Sequence, residues 1–96
     1  MAEDRPPIRV QCRRSGEGWL CQVVVGDDPA ATTHEVEVTD EDLSRLARDA
    51  QVERLVEASI RFLLEREPRE SILPRFALPV IGRYFPEYEA EIGAPQ

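Results

Sequence analysis

The sequence predicts an α+β domain, a three-stranded antiparallel meander followed by a short helix and a long one. Three observations carry this. Apolar and polar residues alternate in three stretches separated by Gly-, Asp- and Pro-containing breaks. A helical apolar stripe then occupies residues 39 to 67. Beyond it, residues 68 to 92 are apolar and aromatic but punctuated by prolines.

The first strand is expected over residues 8 to 14. Ile8, Val10 and Cys12 alternate with Arg9, Gln11 and Arg13, the period of a half-buried strand. Ser15-Gly16-Glu17-Gly18 reads as a turn. The second strand, residues 19 to 25, places Trp19, Cys21, Val23 and Val25 on one face. A hairpin closed by residues 15 to 18 sets Arg14 opposite Trp19, Cys12 opposite Cys21, Val10 opposite Val23 and Ile8 opposite Val25. A one-residue slip would scramble that shared apolar face, so the register supports the hairpin. Gly26-Asp27-Asp28-Pro29 marks the next loop. The third strand, residues 32 to 38, turns His34, Val36 and Val38 inward and Thr33, Glu35 and Glu37 outward.

Thr39 is a suitable N-cap for a first helix, with Asp40, Glu41 and Asp42 in the turn where the helix dipole favours anions. Leu43, Leu46 and Ala47 form its apolar stripe. The pattern weakens at residues 49 to 51, where a break is expected. The long helix is expected from about Val52 to Arg66. Its polar stripe, Glu53, Glu57, Arg61 and Glu65, has the spacing of i,i+4 ion pairs. Its apolar arc is wide, so it needs cover on two sides. The sheet supplies one cover, and the C-terminal segment or a second subunit the other.

Five of the eight prolines and five of the six aromatics lie from Phe62 onward, so that region is neither one long helix nor a free tail. Pro68, Pro79 and Pro86 each open a short turn, running to Leu73, Tyr84 and Ile92. The predicted organisation over 1–96 is therefore a frayed leader (1–7), the meander (8–38), the helices (39–67) and wrapping turns (68–92). The expected core contains Val10, Cys21, Val23, Val36, Val38, Leu43, Leu46, Leu55, Val56, Ile60, Leu63, Phe76 and Phe85.

Composition narrows function more by exclusion than by motif. The formal net charge is -7, which disfavours nucleic acid and anionic membrane as partners. All 12 basic residues are Arg, so Schiff-base chemistry and a phosphate-loop Lys are out of reach. No long apolar run predicts a signal peptide or a membrane span. His34 is the single histidine and lacks a neighbouring nucleophile or second ligand. Its expected place is the end of the inner strand face. Facing strand residues have Cβ atoms about 4.5 to 5.5 Å apart, close to disulfide range. Even so, Cys12 and Cys21 are expected as free, slowly reacting thiols in a reducing, cytoplasmic compartment. Glu87, Glu89 and Glu91 lack a calcium-loop pattern and are expected as a solvated acidic end. No catalytic, cofactor or metal site is expected.

The remaining signal lies in the C-terminal segment. Arg75, Arg83, Tyr84 and Tyr88 are the candidate interaction surface, because Arg and Tyr are favoured at interface centres. The expected function is a non-enzymatic protein-interaction module with a protein partner and a possible homodimer. A second reading comes from residues 33 to 67. A short strand, a helix carrying LSRLA and a helix carrying ERLVEASIRFLLERE resemble the ribbon-helix-helix fold of repressors and antitoxins. That resemblance implies DNA binding through Thr33, Glu35 and Glu37 on a strand shared between subunits.

Overall fold

The computed structural model describes residues 6–47 and 51–92. The chain forms strands β1 (Ile8–Ser15), β2 (Gly18–Val25) and β3 (Thr32–Thr39), then helices α1 (Asp40–Ala47) and α2 (Val52–Leu64). A 3-10 turn (Arg69–Ser71), strand β4 (Arg75–Ala77) and helices α3 (Val80–Tyr84) and α4 (Tyr88–Ile92) follow. The class is α+β, as expected. The sheet has four strands in the order β1-β2-β3-β4.

The hairpin register agrees with the expected one, from Ile8 opposite Val25 to Arg14 opposite Trp19. Pairing continues to Ser15 and Gly18, so the loop shortens to Gly16-Glu17. Gly16 takes φ 61, a left-handed conformation that glycine adopts without steric penalty. The Gly26 N–H donates to the Pro7 carbonyl at 2.8 Å. Positions 7 and 26 are thus a hydrogen-bonded pair, and so by alternation are 9/24, 11/22 and 13/20. Ile8, Val10, Cys12 and Arg14 then occupy non-hydrogen-bonded pairs, where strands approach most closely.

Two corrections concern this sheet and its continuation. Cys12 and Cys21 form a disulfide, with Cα atoms 4.0 Å apart, not two free thiols. The reason is their direct opposition in a close, non-hydrogen-bonded pair. A cystine persists in oxidising surroundings, so the cytoplasmic expectation loses its premise of free thiols. The second correction is β4, in a segment expected to hold only helical turns. It runs parallel to β3, pairing Arg75 with Glu35, Phe76 with Val36 and Ala77 with Glu37. Its ends are sewn in by Glu35 N–H donating to the Pro74 carbonyl and Leu78 N–H donating to the Glu37 carbonyl. The proline flanks withhold no donor the sheet uses, since Pro74 contributes its carbonyl.

The first helix starts as its sequence predicts. The Asp42 N–H donates to Thr39 Oγ1 at 2.9 Å, and the Thr39 N–H donates to Asp42 Oδ2 at 3.1 Å. This reciprocal box satisfies two otherwise orphaned donors. The expected break falls between α1 and α2, and its residues 48–50 lie outside the described residues, as do 1–5 of the leader. The polar stripe of α2 does not pair internally at Arg61. That side chain instead donates to the Pro6 carbonyl at 3.1 Å.

The core lies between the inner sheet face and α2. Val23, Val25, Val36 and Val38 meet Leu55, Val56, Ile60 and Leu63 there. Val10, Leu43 and Phe85 are only partly buried and pack against its margins. The second cover over α2 comes from the same chain. Phe62 packs edge-to-face on Phe85 at 5.9 Å and on Tyr88 at 5.2 Å. Arg66 closes the seam, stacking 3.6 Å from the Phe62 ring centroid and reaching Glu87 and Glu91. The wide apolar arc of α2 therefore does not by itself call for a second subunit.

Candidate functional site

An apolar groove of about 240 Å³ opens beside the C-terminal end of α2. Leu63 and Glu67 form one wall, Ser71, Ile72, Leu73 and Phe76 the floor and near side, and Val80, Ile81, Tyr84 and Phe85 the far side. Each part is held by contacts remote in sequence. His34, 3% exposed on β3, donates through Nδ1 to the Leu73 carbonyl at 2.8 Å. A carbonyl only accepts, so Nδ1 carries a proton, and in the neutral ring Nε2 then accepts from Thr32 Oγ1, 2.8 Å away. The single histidine thus pins the groove's floor to the sheet. The 3-10 turn before the floor is anchored by Arg69, which reaches Asp28 at 3.1 Å. Arg69 also lies against Gly26, where any Cβ would collide with its guanidinium and where φ is +97°.

Two large apolar side chains remain exposed at this groove, Leu73 at 44% and Tyr84 at 68%. Beneath them Ile72 and Ile81 are buried. Extended residues alternate sides, so Ile72 turns to the core and Leu73 to solvent.

The four residues expected to form one surface are separated by the fold. Tyr84 is on the groove. Arg83 is exposed on α3 next to it. Arg75 is exposed on the outer face of β4, where it pairs with Glu35 at 3.1 Å and stands 3.9 Å from Glu37. Tyr88 is fully buried and leaves the surface altogether. Ser59 Oγ donates to the Leu55 carbonyl at 2.8 Å, so it accepts from Tyr88 Oη at 2.7 Å. Burial pushes the Tyr88 hydroxyl up to about 12, with the Ser59 hydrogen bond opposing in part and Glu89 and Asp42 adding to the rise. The physical reason for its removal is Pro86. The chain restarts a helix at Tyr88, and the ring turns into the Phe62 cluster.

In the sequence Leu73 stands out only as the end of the Pro68 turn, and Ile72 and Val80 not at all. Their signal was present as apolar residues beside Pro74 and Pro79, which force short extended or turned segments. Among the described residues no group of three His, Cys, Asp or Glu is placed to hold a metal ion. No helix of the described residues is long and apolar enough to cross a membrane. The ribbon-helix-helix likeness meets a geometric obstacle. Its strand must pair with a second subunit, but β3 is already bonded to β2 and β4 within the chain. No protein-family model matches the sequence, and searches of curated proteins and of solved structures find no match.

Proposed function

We propose that this protein is a non-enzymatic interaction module whose groove receives an apolar anchor from a partner polypeptide. The observation that carries the reading is the flanking of one apolar groove by both large exposed hydrophobics, Leu73 and Tyr84. Size favours a side-chain anchor over a free small molecule. Ligand pockets usually span about 300 to 1,000 Å³ and carry several convergent polar groups. This groove falls below that range, and its lining offers polar side chains only from Glu67, Ser71 and Tyr84. Arg83 and Glu67 at the margin supply charges for register.

The test is selection of peptides from a displayed random library against the whole chain. Expected winners share one or two aromatic or branched apolar residues. Leu73→Glu and Tyr84→Ala should each weaken them about tenfold, the effect of roughly 1.4 kcal/mol. Both side chains are exposed, so thermal unfolding should barely move. Winners that bind both variants as well as the wild type would place the interaction elsewhere and overturn the reading.

A further inference from the structure

We propose that the open edge of β1 is a second docking site, independent of the groove, for an extended polypeptide segment that alternates acidic and apolar residues. The segment joins the sheet antiparallel to β1. The pairing phase of the hairpin gives the geometry. Residues of β1 in non-hydrogen-bonded pairs with β2 point their backbone groups the other way. The N–H and C=O groups of Val10 and Cys12 therefore face outward from the sheet. Among the described residues no backbone hydrogen bond reaches them from that side.

Charge selects the occupant. Arg9 and Arg13 stand exposed on the outer face of β1. Among the described residues no carboxylate lies within ion-pair distance of either. Other sheet arginines are engaged: Arg14 holds Asp40 at 2.7 Å and Arg75 holds Glu35 at 3.1 Å. In an incoming antiparallel strand, the residues opposite Arg9 and Arg13 take the close positions, with Cα atoms about 4.5 Å apart. Carboxylates there meet two guanidiniums that no carboxylate among the described residues engages. Opposite Val10 and Cys12, on the inner face, the half-buried carbon of the sheet margin continues. Apolar side chains at those positions extend the core over the edge.

A second copy of this chain does not fit the same edge. Pairing β1 with itself gathers Arg9 and Arg13 from both copies along one face of the ribbon, and facing like charges destabilise a sheet. The chain's net charge of -7 does not cancel the attraction at contact. Screening confines charge interactions to about 8 Å at physiological salt. The outward carboxylates Glu35 and Glu37 sit two strands away, roughly 10 Å. Gln22 donates to Glu35 at 3.0 Å, and Arg75 stands beside both carboxylates.

The experiment titrates the whole, oxidised chain with a blocked synthetic peptide alternating valine and glutamate, followed by backbone amide NMR. A valine–lysine peptide is the control. The expected result is a preference of at least about tenfold for the glutamate peptide, with Val10 and Cys12 amides newly protected from exchange. In Arg9→Glu/Arg13→Glu the preference should invert, since neither side chain is needed for folding. Val10→Pro removes an outward N–H that no described strand uses, and it should abolish binding of either peptide while far-UV circular dichroism is kept. Equal binding of both peptides, or shifts confined to the groove, would overturn the proposal. So would tighter binding of a single-stranded oligonucleotide lost in the same double variant, which would make the edge a nucleic-acid contact.

Discussion

The sheet has two margins of nearly opposite construction. At the β4 margin the edge strand is three residues long, its Arg75 is met by Glu35, and the chain runs on into buried Leu78 and Ile81. At the β1 margin the edge strand is eight residues long, its inner residues are half-buried, and Arg9 and Arg13 face solvent without a described partner. A short edge resists further pairing, whereas a long one with unpaired backbone groups invites it. The same sheet thus has exposed apolar side chains near one end and outward backbone beside exposed arginines at the other. Arginine by itself does not distinguish them, because what surrounds each guanidinium sets its role.

Substitution in the core should separate the margins most sharply. Leu78 is fully buried beside β4, so Leu78→Ala should lose about 3 kcal/mol of stability, transfer and cavity terms together. Val10→Ala at the half-buried β1 margin should lose about 1 kcal/mol. Urea unfolding of both variants checks this, and equal losses would erase the asymmetry.

The disulfide sits at the β1 margin and compensates for its thinner packing. It closes a loop with a sequence separation of 9, for which the chain-entropy argument gives about 3 kcal/mol. Cys12→Ser/Cys21→Ser should therefore fall by about that amount. In hydrogen exchange, β1 amides should lose protection before those of β3. Uniform loss across the sheet would show that the margins are not independently stable.

Alkaline pH should act through the helical layer instead. Tyr88 has its folded value raised to about 12 from the usual 10.0. Its contribution is fully present below pH 10, where the hydroxyl is protonated in both states, and is lost as pH rises through 12. Two units correspond to roughly 2 to 3 kcal/mol. Tyr88→Phe should flatten that alkaline slope, at a cost of about 1 kcal/mol near neutrality for the lost hydrogen bond. An unchanged slope would assign the alkaline loss to another group.

The smallest effect is expected in α3. A Cβ at Gly82 would meet only ordinary contacts, the nearest being Glu89 Oε2 at 3.8 Å. Gly82→Ala should stabilise by about 0.5 to 1 kcal/mol through helix propensity and a less flexible unfolded chain. A loss instead would mean that the groove's far wall needs freedom of movement.

What the sequence determined by itself was local. Alternation from Ile8 to Val38 was enough for three strands and for the hairpin register, because a strand's faces repeat every two residues and a short turn leaves little choice of partner. Thr39 and Asp42 announced the start of α1 because their bonds span three positions. Pro68, Pro79 and Pro86 marked the C-terminal turns because proline acts on its own dihedral. Tertiary structure decided what depends on distant partners. The floor of the groove hangs on His34 and Leu73, 39 residues apart, and its turn on Asp28 and Arg69, 41 apart. Strand β4 is too short to carry a period, and it exists because β3 had a free edge to receive it. Cys12 and Cys21 were placed face to face by alternation, yet their spacing carried no sign of whether they would join. Tyr84 and Tyr88 show the division most plainly. They are the same residue four positions apart, but Pro86 lies between them, and only the distant Ser59 and Phe62 draw Tyr88 into the core and leave Tyr84 at the groove.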